Sequence, residues 1–136
     1  MSAVVSLNAD GARKSRTPWA GRAVSALPVL LLLLSASMKL AHSSKVVDVF
    51  VQKLGYQESA LLPLGLLELT CILLYVVPRT RILGALLLTA YLGGAVATHV
   101  RIGEAFLVPV GVGILVWVGL YLRDPRVRAL ATAVPR

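Results

Sequence analysis

Uncharged runs dominate this chain: residues 23–38, 59–67, 69–78, 82–100 and 105–122 contain no Asp, Glu, Lys or Arg. Joined across Glu68, they make four apolar stretches near the ~20 residues that a helix needs to cross a ~30 Å hydrocarbon core. Spans are therefore expected at about 22–41, 60–78, 82–100 and 105–122. Leu and Ala prevail and no period-two alternation occurs, so a membrane β-barrel is excluded and an all-α polytopic bundle of four helices is predicted.

The charges that remain are sorted by side. Arg13, Lys14, Arg16 and Arg22 precede the first span, Arg79 and Arg81 lie between the second and third, and Arg123, Arg126, Arg128 and Arg136 follow the fourth. Ten of the 14 basic residues thus fall on one side, and the positive-inside rule predicts that both termini are cytoplasmic. The net charge of +8 is explained by this asymmetry and by contact with membrane lipid. No nucleic acid is expected as a partner, because no groove-reading or base-stacking module accompanies the charge.

Residues 1–18 are small, polar and basic and are expected to form a mobile tail, residues 19–128 the membrane domain, and residues 129–136 a second cytoplasmic tail. The first span is read as uncleaved, because a polar stretch precedes it and no small-residue cleavage site follows. Between the first two spans, Val46, Val47, Phe50, Val51 and Leu54 recur at three- and four-residue spacing. Ser43 or Ser44 can cap this segment and Gly55 ends it. A short amphipathic helix along the outer interface, with Phe50 and Leu54 buried, is predicted. Cys71 is the lone cysteine, which excludes a disulfide or a thiolate cluster within one chain.

In the third span Ala90, Gly94 and Thr98 stack at four-residue intervals, the pattern of a face that admits a neighbouring helix or a second copy of the chain. The fourth span carries Trp117 and Tyr121 near its inner end.

A carboxylate inside an apolar span is costly, by about 2.5–3.5 kcal/mol on insertion scales, so Glu68 needs a partner, a proton or a role. Helical Cα–Cβ bonds lean toward the N-terminus, so Lys39 and His99 on outward-running spans and Glu68 on an inward-running span converge. Lys39 is the expected ion-pair partner, its flexible stem making up the difference in depth. Arg101 is expected to face the helix-packed centre, with His99 the more adaptable of the two, and Glu104 is expected to pair with Arg101. Lys39, Glu68, His99, Arg101 and Glu104 form the candidate polar cluster, either a structural knot that fixes helix register or a ligand or proton site. Catalytic and metal sites are not expected. His42 lies outside its span, which argues against its facing His99 as a haem ligand, and no two of Glu68, His99 and Glu104 stand at the i, i+3 or i, i+4 spacing of a metal-ligand pair.

Several strings carry a family resemblance: Gly21-Arg22, Met38-Lys39-Leu40, Leu54-Gly55-Tyr56, Leu66-Leu67-Glu68-Leu69, Pro78-Arg79-Thr80, Gly84-Ala85 and above all the run from Tyr91 through Gly93, Gly94 and His99 to Arg101. Over about residues 19–128 the chain resembles the DoxX-like family of small bacterial four-helix membrane proteins. The resemblance implies a bacterial inner-membrane location. DoxX proper is similar to a membrane subunit of a thiosulfate:quinone oxidoreductase, so the resemblance further implies a non-catalytic membrane subunit or anchor with a redox partner protein. A bound quinone is the one cofactor it admits. The residues themselves leave a second reading open, a proton-coupled small-solute transporter using Glu68.

Overall fold

A computed structural model describes the backbone of residues 2–133 and the side chains of residues 18–133. Every regular element among the described residues is helical. Helix α1 (Ser2–Leu40) passes through Pro18 and Pro28. A short α2 (Ser44–Asp48) runs into a π-helical turn (Val49–Lys53), and a 3-10 turn (Glu58–Ala60) opens α3 (Leu61–Val76). Then come α4 (Arg81–Arg101), α5 (Leu107–Arg123) and α6 (Pro125–Thr132).

Three helical segments are long and apolar enough to cross a membrane. They are Pro18–Leu40 (mean hydropathy 1.9), Glu58–Val76 (2.0) and Arg81–Arg101 (1.5). Helix α5 supplies a fourth apolar segment of 17 residues, joined to α6 across a bend of 98°. Pro125 sits at the start of α6, where its missing N–H costs nothing, and the Asp124 carboxylate accepts from Arg126 N at 2.9 Å to cap the new helix. The bend is therefore written in two adjacent residues.

The backbone of the basic N-terminal segment, expected to be a mobile tail, is helical and continuous with the first span from Ser2 onward. Between α1 and α3 the backbone is helical too, with the π turn closed by Leu54 N donating to Val49 O at 2.9 Å. Gly55 ends it at φ +70, a left-handed conformation suited to glycine. Phe50 and Leu54 are only half-buried, since the turn covers a hollow instead of a packed core.

Helix α1 packs on α3 and α5, and α4 packs on the same two helices from the other side. At the centre of this closed ring lie Leu32, Ala36, Ile72, Tyr75, Ala85, Leu88, Val112, Val116 and Leu120. Leu30, Leu34, Leu66, Leu73, Leu86 and Ile114 point outward and are exposed, while Ser25, Lys39 and Glu68 are buried. Apolar outside with polar residues inside fits a protein solvated by lipid.

Close helix approach occurs at glycines other than the expected ones. A Cβ on Gly84 would lie 2.2 Å from Tyr75 N, and one on Gly119 would lie 2.3 Å from Ser25 Oγ. Gly94, in contrast, faces open space. The Ala90, Gly94 and Thr98 face thus borders a cavity, and no helix of the chain itself packs against Gly94.

Near the start of the Pro18–Leu40 segment and the end of α5, a buried polar chain fastens three helices. The Tyr75 hydroxyl donates to Val116 O at 2.8 Å, and Ser25 Oγ lies 3.0 Å from that hydroxyl, so Ser25 donates to it. The Arg123 guanidinium lies 4.5 Å from the Tyr75 ring centroid and donates to Tyr75 O at 3.1 Å.

Candidate functional site: a polar cluster in an apolar cavity

Lys39 Nζ donates to Glu68 Oε2 at 2.8 Å, with Glu68 1% and Lys39 7% exposed. Helix α1 delivers the ammonium from near its last turn and α3 the carboxylate from its middle. Gly65, one turn before Glu68, makes this possible: a Cβ there would meet Leu40 Cδ2 at 3.0 Å and Lys39 Cβ at 3.2 Å. At such burial neither charge is tolerable alone, because desolvation is offset only by the partner's field and by hydrogen bonds to the remaining valences.

Those further bonds come from residues that the sequence does not single out. Ser35, one turn before Lys39, accepts from Lys39 Nζ at 2.5 Å and donates to Glu68 Oε2 at 3.4 Å. Tyr91 on α4 donates to the same oxygen at 3.1 Å. Phe50 sets its ring 5.8 Å from Lys39 Nζ, within reach of a cation–π contact. Three helices therefore converge on one carboxylate, and the π turn adds a contact to its lysine partner. Ser35 carried a usable signal, its i, i+4 spacing from Lys39; Tyr91 carried none beyond its place in the third span.

The cluster opens on a cavity of about 540 Å³. Its wall is mainly Leu31, Leu32, Leu64, Leu92, Val108 and Val112, with Phe50, Leu54 and Tyr56 contributed by the segment between α1 and α3. A volume of this order suits a small molecule or one end of a larger one.

The remaining candidates are distributed differently from the expectation. His99 lines the cavity, half-buried, with Nδ1 2.7 Å from the Ala95 carbonyl. Arg101 does not face the centre. It is exposed, donates to the Leu54 carbonyl at the end of the π turn, and lies 6.0 Å from the Tyr56 ring centroid. The physical reason is that Leu54 presents the negative end of a helical turn to a guanidinium at the last residue of α4. Glu104 pairs with Lys53 and not with Arg101. Arg101 and Glu104 are thus two ties from the α4–α5 loop region to the segment that covers the cavity, and Lys39, Glu68 and His99 remain on the cavity wall. His42 is exposed with φ 48, in the turn after α1. Among the described residues no group of three or more His, Cys, Asp or Glu side chains stands together to hold a metal ion.

Helices of this length and polarity, with charge buried and hydrocarbon exposed, define a small all-helical membrane protein. The family model of the DoxX-like family matches residues 23–120, and the chain belongs to that family. No curated protein and no solved structure matches it significantly.

Proposed function

We propose that the chain crosses the bacterial inner membrane four times as a four-helix bundle, with α2 and the π turn along the outer interface and both termini cytoplasmic. In that setting it acts as a non-catalytic membrane subunit or anchor that holds the polar head of a quinone-type molecule for a redox partner protein. The observation that carries this reading is the cavity itself, an apolar hollow with one buried, fully assembled polar cluster at its wall. An amphiphile with an apolar body and a compact polar head matches both parts. Membership of the DoxX-like family supports the membrane setting.

Two measurements test it together. Affinity purification from native membranes in mild detergent is expected to recover a redox protein. Purified protein in lipid nanodiscs is expected to bind a short-chain benzoquinone or benzoquinol with Leu92→Trp weakening the binding. Failure to bind either form ends the reading.

A second reading, proton-coupled transport of a small solute, is favoured by one observation: the buried carboxylate of Glu68 reaches the cavity wall. It requires proton-linked flux in proteoliposomes that Glu68→Gln abolishes.

A further inference from the structure

We infer that the cavity selects a hydrogen-bond donor, so that its ligand is a hydroxyl-bearing amphiphile of the quinol or phenol class and not the corresponding quinone. The inference rests on the reading of the cavity as a ligand site and follows from taking its polar atoms one by one.

Each neutral donor on the wall is already engaged within the protein. Ser35 and Tyr91 donate their hydroxyl protons to Glu68 Oε2. Thr98 donates to the Gly94 carbonyl at 2.9 Å, so its oxygen accepts from the Tyr56 hydroxyl, also at 2.9 Å. His99 Nδ1 faces a carbonyl, which has no proton to give, so Nδ1 carries the imidazole N–H. Of the three N–H groups of Lys39, one goes to Ser35 and one to Glu68, and the ammonium sits beside the face of Phe50.

Apart from the third N–H of Lys39, which lies beside the Phe50 ring, what remains is lone pairs. Ser35, Lys39 and Tyr91 all donate to Oε2 of Glu68, and among the described residues none donates to Oε1. In the neutral tautomer fixed by the Ala95 bond, His99 Nε2 is an acceptor, and His99 lines the same cavity. A carboxylate oxygen and an imidazole nitrogen attract an O–H and repel a carbonyl oxygen. A quinone, with acceptors alone, would leave both unsatisfied, whereas a quinol hydroxyl satisfies one and replaces its own lost hydration. Sites built to hydrogen-bond a hydroxyl discriminate strongly against analogues that lack it.

The test uses the full chain in nanodiscs and three probes of one shape: a decyl-substituted benzoquinol kept reduced without oxygen, its benzoquinone, and the di-O-methyl ether of the quinol. The quinol is expected to bind at least about ten-fold more tightly than either of the others, the order set by one hydrogen bond to an ionised acceptor. His99→Phe, checked for folding by its thermal melt, is expected to lower quinol affinity more than quinone affinity. Equal or tighter binding of the quinone overturns the donor assignment while leaving the ligand site standing. Binding of none of the three overturns both.

Discussion

Gly84 lies so close to Tyr75 that a methyl group on it would come within 2.2 Å of the Tyr75 backbone nitrogen. The contact joins α4 to the end of α3 through backbone, where nothing can rotate away. Gly84→Ala is therefore expected to lower thermal stability in detergent by about 1–3 kcal/mol, the usual cost of overpacking. Gly94→Ala is the control: open space surrounds its missing Cβ, and replacing a helical glycine there is expected to be neutral or to stabilise by up to about 1 kcal/mol. Equal losses in the two variants would refute this account of where the helices touch.

The buried ion pair predicts a non-additive mutant cycle. Lys39→Met or Glu68→Gln alone leaves one uncompensated charge and is expected to destabilise by about 3–5 kcal/mol, while the double variant loses less than the sum. Strict additivity would mean that the 2.8 Å contact does not govern stability.

At the other end of the molecule, the hydrogen bond from the Arg126 side chain holds the Asp124 carboxyl below its ordinary range, against the opposing effect of burial. A carboxyl lowered on folding stabilises above its unfolded value, near pH 4, and that contribution disappears as the pH falls through the folded value. Asp124→Ala is expected to cost about 1 kcal/mol at neutral pH through the lost helix cap. The gap between parent and variant in thermal melts should narrow on acidification, and a gap that widens would contradict the assignment.

Lys53 with Glu104 and Arg101 with the Leu54 carbonyl tie the covering segment to the α4–α5 loop through exposed groups. Exposed pairs contribute little, about 0–1 kcal/mol. Arg101→Ala and Glu104→Ala should leave the melt nearly unchanged but raise the rate at which a cysteine placed at Phe50 reacts with a water-soluble maleimide. An unchanged rate would separate these ties from the cover.

Topology has its own check. Reporter fusions after α6 should be active only in the cytoplasmic format, with Ser44 accessible from the opposite side.

Much of this architecture can be read from residue order, because hydrocarbon permits few alternatives: the long apolar runs and the charges inside them stand out. Lys39 and Glu68 are legible for that reason. Tyr91 is not, since a tyrosine in an apolar span is common, and its role depends on how α4 is rotated against α3. The same rotation decides between His99 and Arg101, and helical periodicity alone favoured the wrong one for the cavity. Small residues at four-residue spacing misled similarly: Gly94 and Gly84 look alike in sequence, yet one faces a hollow and the other a backbone. What separates them is the packing of whole helices, a property of no single segment.

The ring closes between its first and last long helices, and this sets a timetable for biogenesis. Once α3 has left the ribosome, Lys39 can meet Glu68, but Ser25 must wait for Gly119, which it touches in the finished protein. At 5–20 residues per second the delay is on the order of a few seconds. Throughout it, the nascent chain carries an unclosed seam along α1, on the side that α5 covers in the finished fold.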